Sequence, residues 1–257
     1  MNFRNQPHKQ RPKKSTLIIG RQKVLDAIQQ GKQLERIYLS AVHGDLVEDV
    51  KKEAANNGIP VNKVPVDKLN GFNVSNHEGC VAIISKIQYQ DLQEVISFVV
   101  ERGETPLLLI LDGITDVWNI GALARTALCT GVHAIIIPDK GVGALNEDAI
   151  TTSAGALEKV AICRVTSLMN VVDDLHMNGI KVFASEMKAT KTIFDINMVE
   201  PCAIIMGSED KGIFPALMNS CDEQFKIPMK GDFESLNVSV AAGMILYEAM
   251  KQRLLIP

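Results

Sequence analysis

A regular alternation of short apolar segments with amphipathic ones, in the second half of the chain, most limits what this sequence can fold into. Leu107–Leu111 is a continuous apolar run, as expected of a strand buried on both faces of a parallel sheet. A predicted helix, Asn119–Cys129, and a predicted strand, His133–Ile137, follow it. The alternation continues to the end of the chain. The further predicted strands are Val160–Val165, Lys181–Ala184, Cys202–Met206 and Phe225–Pro228. The further predicted helices are Glu147–Ser153, a helix capped by Ser167 that ends at Met177, Pro215–Cys221 and Leu236–Leu255. This pattern predicts an α/β domain with a mostly parallel sheet and helices on both faces.

The first part of the chain shows the same alternation on a smaller scale. Its predicted elements are helices at Gly20–Gln30 and after an Asp45 cap, and strands at Arg36–Ser40, Val61–Val64 and Cys80–Ser85. A further helix, Leu92–Glu101, precedes a segment with Gly and Pro at 102–106, which indicates a domain junction. We therefore predict a small α/β domain at residues 16–86, a linker at 87–105 and the parallel-sheet domain at 106–257.

The distribution of charge singles out the N-terminus. The net charge of the 257 residues is −3, which does not by itself indicate a nucleic-acid-binding protein. Residues 1–15, however, carry five basic side chains and no acid, and the first acid of the chain is Asp26. We expect this tail to be disordered, and it serves either to solubilise the protein or to hold phosphates non-specifically.

The five cysteines are scattered and form no C-x-x-C pair, so we expect neither a disulfide framework nor a zinc site. Most of them lie in apolar runs, where cysteine acts as a small hydrophobic residue. The N-terminus has no apolar segment resembling a signal peptide, and no apolar run approaches the ~20 residues that span a bilayer. These features predict a cytosolic protein without membrane association and without a metal.

Three polar or glycine-rich segments follow predicted strands, which is where ligands bind in open α/β sheets. They are Asp116–Ala127, Gly207–Ile213 and Lys226–Gly243. Singly, each has a plain structural explanation: Asn119 as a helix N-cap, Arg125 as a surface side chain, Glu209 as a solvated acid. In the third segment, a strand stopped by Pro228 and a helix capped by Ser235 would place free backbone N–H groups and a positive dipole end at the loop. Such a loop favours the binding of an anion.

Together the three segments match one family. They read N-x-G-A-x-x-R-T-A, then G-S-E-x-x-G-I, then I-P-M-x-G-x-x-x-S-L-N-V-S-V-A, in this order. This pattern resembles the SpoU family of RNA ribose 2′-O-methyltransferases, which belongs to the SPOUT superfamily. The resemblance extends from about Leu17 to the end of the chain. The N-terminal domain looks like the family's substrate-binding domain, which is similar to an L30e-type RNA-binding fold.

The resemblance implies a fold that composition and periodicity do not predict. In that family the last strand and helix thread through a loop and form a deep trefoil knot, against the general rarity of knots. The knot would form the S-adenosylmethionine site, in line with the absence of a complete G-x-G-x-x-G, since Gly141-Val142-Gly143 lacks the third glycine. The family also builds its site across a subunit interface, which implies a homodimer. Positions matching or lying beside the family's cofactor contacts are Met206, Gly207, Ile227, Met229, Ser235 and Leu236.

Catalytic roles follow from the same matched positions. Arg125 would meet the target nucleotide, Asn119 and Asn237 would orient the nucleotide or Arg125, and Glu209 and Ser235 would fix the loops. Arg125 is sometimes assigned as a general base in this family, but a guanidinium is a poor proton acceptor. We therefore favour phosphate clamping and activation of the hydroxyl, with positioning supplying much of the rate.

The chain departs from the family at one point. Where the family commonly has Asp-Pro-x-Asn, this chain has Asp116-Val117-Trp118-Asn119, so that turn loses the rigidity of the proline. Trp118 is either a core or dimer-interface residue, which we weigh higher, or a platform on which an RNA base stacks. The small residues of Ser153–Ala156 suit close helix packing, and Glu158 is placed to meet RNA or a partner subunit.

The two-domain layout is closest to the branch of the family that methylates a guanosine ribose in large-subunit (23S-type) ribosomal RNA. The expected activity is therefore S-adenosylmethionine-dependent 2′-O-methylation of ribosomal RNA. Two alternatives are a transfer-RNA 2′-O-methyltransferase and a non-catalytic RNA-binding factor of ribosome assembly. A small-molecule methyltransferase is disfavoured because the N-terminal domain and the basic tail would then have no task.

Overall fold

The computed structural model describes residues 16–42, 47–74, 76–231 and 235–255. The chain divides into two compact units, residues 1–85 and 86–257. The predicted basic tail and the predicted Asp45 cap lie outside the described residues.

The N-terminal unit is a four-stranded sheet with helices on both faces. Its strands are β1 (Leu17–Ile19), β2 (Leu34–Ser40), β3 (Val61–Val64) and β4 (Cys80–Ile84), and its helices are α1 (Arg21–Gln29), α2 (Glu48–Asn56) and α3 (Val66–Asn70). The strand order is β1-β4-β2-β3, with β4 antiparallel to both neighbours and β2 parallel to β3. Alternation along the strands buries Ile37 and Ala82 against α1 and α2, and Val81 against α3.

The second unit contains the remaining elements. Its strands are β5 (Leu107–Asp112), β6 (Ala134–Pro138), β7 (Ala161–Val165), β8 (Lys181–Ser185), β9 (Lys191–Thr192), β10 (Cys202–Gly207) and β11 (Glu223–Lys226). Its helices are α4 (Leu92–Glu101), α5 (Val117–Cys129), α6 (Glu147–Thr152), α7 (Leu168–Met177), α8 (Pro215–Asn219) and α9 (Val238–Leu254), with short 3₁₀ turns at Ala156–Glu158 and Ile193–Asp195.

The seven strands of this unit form one sheet in the order β7-β6-β5-β10-β8-β11-β9, and every pair within it is parallel. Side chains of β5 alternate between two cores. Leu109 and Leu111 face the layer that contains α5 and α9, while Leu108 and Ile110 face the layer that contains α4 and α7. The prediction of a parallel α/β sheet covered on both faces is therefore confirmed, and the carboxyl ends of all seven strands lie at one edge.

Residues 87–105 are not a separate linker. They fall within the second unit, and Val95, Ile96 and Val99 of α4 pack in the same core as Leu108. Asp91 begins α4 as its N-cap, since its carboxylate accepts a hydrogen bond from the Glu94 N–H at 3.0 Å. This segment belongs to the second unit because α4 is amphipathic and its apolar side is buried against the sheet of that unit.

Two boundaries in the third polar segment also differ from expectation. Strand β11 ends at Lys226, two residues before Pro228, because it pairs with β8 only as far as Phe225 and with β9 only as far as Lys226. Ser235 is not the cap of the last helix, which starts at Val238 with Asn237 as its N-cap. The strand thus ends where its partners end rather than at the proline.

Two glycines within helices, Gly121 in α5 and Gly243 in α9, differ in how closely the neighbouring residues approach them. A Cβ on Gly121 would lie 2.7 Å from the Thr152 Cβ and 2.9 Å from the Ala149 oxygen, so α5 approaches α6 more closely than any other residue allows. A Cβ on Gly243 would meet only the Thr126 Cγ2, at 3.9 Å, which is ordinary contact. Within the chain, close packing therefore requires glycine in α5 and not in α9.

The cysteines behave as core residues for the most part. Cys80, Cys163 and Cys202 are buried, and burial raises the pKa of the Cys80 and Cys163 thiols to about 12. Such thiols stay protonated and unreactive.

In the part of the chain that the structure describes, no cluster of three His, Cys, Asp or Glu side chains is arranged to hold a metal ion. No helix there combines the length and apolar character needed to cross a membrane. The trefoil knot stays a prediction of the resemblance.

Candidate active site

The three polar segments follow β5, β10 and β11, so they emerge at the same edge of the parallel sheet. Strands β5 and β10 are direct neighbours, and Asp112 at the end of β5 lies opposite Gly207 at the end of β10. The segment after β11 returns to the same place, because α9 packs along α5. Residues more than 100 positions apart in the chain therefore meet here.

The first segment places Asn119 inside a helix rather than at its start. The Asp116 carboxylate is the N-cap of α5 and accepts a hydrogen bond from the Trp118 N–H at 3.0 Å. The interpretation of Asn119 as a cap is therefore wrong. As the third residue of α5, Asn119 presents its side-chain oxygen to Asn237, whose Nδ2 donates to it at 3.1 Å.

The second segment is a closed turn that only glycine allows. A Cβ on Gly207 would lie 2.2 Å from the Gly212 carbonyl carbon and 2.3 Å from the Ile213 nitrogen. The turn is closed by two backbone hydrogen bonds: the Gly212 N–H donates to the Ser208 oxygen at 2.8 Å, and the Ser208 N–H donates to the Gly212 oxygen at 3.2 Å. The turn carries Glu209 at its tip.

The third segment joins the other two through Asn237. Its Nδ2 donates to Asn119 and also to Oε1 of Glu209, while the same Glu209 oxygen accepts the Val238 N–H at 3.2 Å. On its other side, the Asn237 Oδ1 accepts the Ser239 N–H at 3.0 Å and so caps α9. One amide therefore caps the last helix and ties all three segments together.

Asn237 as a cap is recognisable from sequence, because asparagine is as good an N-cap residue as serine. The expectation that Ser235 caps this helix is wrong, since the cap is Asn237. Ser235 is exposed, and no described residue forms a hydrogen bond with it. The structure thus brings Asn119, Glu209 and Asn237 into direct contact, and it does not bring Ser235 into that contact.

Arg125 lies six residues after Asn119 on α5 and is exposed. Among the described residues, none accepts a hydrogen bond or an ion pair from its guanidinium. A planar group with five donors that has no acceptor in the described part of the chain is suited to an anion from outside, above all a phosphate.

The positions matched to the family's cofactor contacts combine apolar side chains with backbone N–H groups that have no acceptor among the described residues. Met206 is buried, Ile227 packs partly against the core, and Met229 and Leu236 are half-buried. The backbone N–H groups of Met229, Lys230 and Leu236 have no acceptor among the described residues. Apolar surfaces flanked by free N–H donors suit a flat heteroaromatic ring with acceptor nitrogens, as in the adenosine part of S-adenosylmethionine.

Trp118 has 64% of its surface exposed, so its interpretation as a core residue is wrong. Its exposure leaves a subunit interface or the stacking of an RNA base as its role.

Two surface cavities of about 390 and 510 Å³ lie elsewhere, among residues 188–224 and 90–161, and neither is lined by a predicted site residue.

The two tasks of Asn237 are separable by substitution. Asn237→Ser keeps an oxygen that caps α9 but loses the amide that reaches Asn119 and Glu209. We expect its melting temperature to stay close to wild type while activity falls roughly tenfold or more, because two hydrogen bonds are lost, one of them to a carboxylate. Asn237→Ala also loses the cap and costs about 1 kcal/mol of stability. Thermal unfolding and methyl-transfer rates of both variants test this; equal activity of Asn237→Ser and wild type would contradict it.

Two family profiles match this chain. The profile described as the SpoU rRNA Methylase family covers residues 106–247. A second, described as RNA 2′-O ribose methyltransferase substrate binding, covers residues 17–90. The first match lies within the second unit and omits its first twenty and last ten residues, and the second begins at residue 17 of the N-terminal unit and extends five residues beyond it.

The chain is also similar to individual proteins. It is 32% identical over 238 residues to a Bacillus subtilis (strain 168) protein, YacO, whose name assigns it provisionally to the TrmH family tRNA/rRNA methyltransferases; the match covers 92% of this chain and 95% of that protein. It is 22% identical to the SpoU methyltransferase AviRb from Streptomyces viridochromogenes, solved in complex with the cofactor AdoMet, with a TM-score of 0.58 and coverage of 93% and 90%. A structure described as an RNA 2′-O ribose methyltransferase is 26% identical, with a TM-score of 0.54 and coverage of 93% and 89%.

Proposed function

This chain belongs to the SpoU rRNA methylase family, and we propose that it transfers the methyl group of S-adenosylmethionine to the ribose 2′-hydroxyl of a guanosine in 23S-type ribosomal RNA. Membership makes the protein an RNA methyltransferase that uses S-adenosylmethionine. The ribose hydroxyl, the guanosine and the ribosomal RNA are the finer parts of the proposal.

The observation that carries the proposal is the contact of Asn119, Glu209 and Asn237, together with an exposed Arg125 on the same helix as Asn119 that has no partner among the described residues. These residues come from three loops of one sheet edge and are joined by a single amide. A site assembled in this way holds its groups in fixed mutual positions, and fixed positions are what a weak nucleophile such as a ribose hydroxyl requires.

S-adenosylmethionine supplies an electrophilic methyl group on a positively charged sulfur. When bound, it would give this methyl group to the 2′-oxygen and leave as neutral S-adenosylhomocysteine, and the hydroxyl proton would pass to water. Gly207, Ile227 and Leu236 are the residues we expect to hold the donor, since Gly207 provides a close backbone turn and Ile227 and Leu236 provide half-buried apolar surface. Met206 and Met229 would complete the apolar surroundings.

In this mechanism Arg125 binds a phosphate of the target nucleotide. Its guanidinium has two-pronged donors that match phosphate oxygens and does not readily accept a proton. Asn119 and Asn237 orient the nucleotide, and Glu209 holds the second and third loops together through the Val238 N–H. Ser235, exposed beside this cluster, is expected to contact the donor or the RNA.

Ribosomal RNA is favoured by the two-unit layout of the chain and by the substrate-binding profile of its N-terminal unit. The name of the Bacillus subtilis relative contains both transfer and ribosomal RNA, so transfer RNA is the second candidate. To decide, the protein is incubated with methyl-labelled S-adenosylmethionine and total RNA from a strain lacking the enzyme, and the RNA is fractionated. We expect label in large-subunit ribosomal RNA. Label in transfer RNA would overturn the ribosomal assignment, and no label in any RNA would favour a binding factor.

We further propose that the protein is a homodimer formed through α5 and α9. Val240, Met244 and Tyr247 lie on one side of α9 at spacings of four and three, and they are 48%, 46% and 60% exposed. Leu128, which is 38% exposed, lies on α5, the helix that packs along α9. Exposed apolar side chains on packed helices are typical of a surface that another chain covers.

Sedimentation equilibrium tests the dimer. The wild type is expected at twice the mass of one chain, and Met244→Glu is expected to shift it to a monomer because a charge would be buried in the interface. Phe98→Glu is the matched control, since Phe98 on α4 is 59% exposed and lies outside the proposed surface. A wild-type monomer, or a Met244→Glu dimer of unchanged affinity, would contradict the proposal.

A further inference from the structure

Asp112 occupies a particular place at the edge of the sheet. It is the last residue of β5, lies opposite Gly207 of β10 and is half-buried. Its Oδ2 accepts a hydrogen bond from the backbone N–H of Phe214 at 2.7 Å, across 102 residues of sequence. Hydrogen bonds from an N–H to a carboxylate are among the stronger ones in proteins.

The bond closes the far end of the turn that carries Glu209. The near end is fixed because Gly207 belongs to β10. The middle is held by the paired backbone bonds of Ser208 and Gly212, and by the Ser208 hydroxyl, which accepts the Lys211 N–H at 3.2 Å. Asp112 is the described side chain that joins the residues after this turn to the strand that leads into the first polar segment.

We propose that Asp112 is a positioning residue: it fixes the 207–214 loop so that Gly207 lies correctly for S-adenosylmethionine and Glu209 for Asn237. The inference rests on the proposed function. It adds a residue outside the three family motifs, acting through backbone rather than by touching donor or RNA.

A purely structural explanation is that Asp112 only supports the start of α8, since Phe214 is the residue that precedes this short helix. The two explanations differ in what they predict. Support of α8 changes stability alone. Positioning of the loop changes the affinity for S-adenosylmethionine in protein that is fully folded.

The experiment measures S-adenosylmethionine affinity by calorimetry, without RNA, together with thermal unfolding and hydrogen exchange at the Phe214 amide. Asp112→Ala is expected to weaken binding roughly tenfold or more and to speed that exchange, since a bond to a charged acceptor is lost. Asp112→Asn keeps an oxygen that accepts from the Phe214 N–H and is expected to bind within about threefold of wild type. Asp91→Ala, which removes the comparable carboxylate-to-backbone bond of α4, is the control expected to leave affinity unchanged.

A second pair removes the donor instead of the acceptor and keeps the test decisive if Asp112→Ala does not fold. Phe214 has φ −56°, which proline shares, so Phe214→Pro deletes the N–H at compatible φ. Phe214→Ala keeps the N–H and should bind normally, whereas Phe214→Pro should bind weakly. Wild-type affinity in Asp112→Ala or Phe214→Pro, or equal weakness of Asp112→Asn and Asp112→Ala, would overturn the role of Asp112. Failure of the wild type to bind S-adenosylmethionine would instead overturn the proposed function.

Discussion

Gly207→Ala is expected to abolish detectable S-adenosylmethionine binding and to cost roughly 1–3 kcal/mol of stability, the usual range for overpacking. The added methyl would lie 2.2 Å from the Gly212 carbonyl carbon and 2.3 Å from the Ile213 nitrogen, so the turn must open to admit it. Opening displaces Glu209 from Asn237 and Val238, and with it the start of α9. The effect is therefore larger than the loss of any single hydrogen bond in the site.

Calorimetry with S-adenosylmethionine and thermal unfolding measure both consequences. Gly243→Ala is the matched control, because it adds the same methyl to the same unit at 3.9 Å from its nearest neighbour, Thr126 Cγ2. It should bind normally and be as stable as wild type or slightly more stable, since alanine favours a helix. A Gly207→Ala protein that binds with wild-type affinity would contradict the role we assign to the turn.

Arg125→Ala is expected to reduce methyl transfer by about 100-fold or more, the typical loss on removing one positioned charge-stabilising donor. Because Arg125 is exposed and has no partner among the described residues, its removal should leave stability and S-adenosylmethionine affinity unchanged. Arg125→Lys should also be impaired, because a single ammonium does not reproduce a two-pronged phosphate contact.

The measurement pairs single-turnover methyl transfer with calorimetry of the donor. Arg102→Ala serves as control: Arg102 is an exposed arginine paired with Glu104 at 2.9 Å, at the end of α4. It should transfer methyl groups at the wild-type rate. Near-wild-type turnover of Arg125→Ala would remove Arg125 from the mechanism, and loss of donor binding in the same variant would assign it to the donor instead of the RNA.

Most of the second unit was predictable because its strands are buried on both faces and read as unbroken apolar runs, such as Leu107–Leu111 and Cys202–Met206. The order of the strands was not predictable, since β5 pairs with β10 on one side, about 90 residues later in the chain, and nothing local specifies that pairing. The same limit applies to α4, whose place within the second unit depends on which sheet buries its apolar side.

For the site, residue types at matched positions indicated Asn119, Glu209 and Asn237, and the structure adds that they touch. The sequence does not decide between Ser235 and Asn237 as the cap of α9, because serine and asparagine are equally favoured at that position. Asp112 gave no signal, because its bond to Phe214 exists only once β5 and β10 lie side by side. Long-range contacts of single side chains are the part of a site that sequence patterns leave undetermined.

The most direct test of the central claim is the chemical identity of the methylated nucleoside. Large-subunit ribosomal RNA from a strain lacking the enzyme is methylated in vitro by the wild type, digested to nucleosides and analysed by mass spectrometry, with Arg125→Ala in parallel. We predict 2′-O-methylguanosine, at one nucleotide per RNA molecule, from the wild type and almost none from the variant. A methyl group on a base, or on the ribose of another nucleoside, would contradict the account.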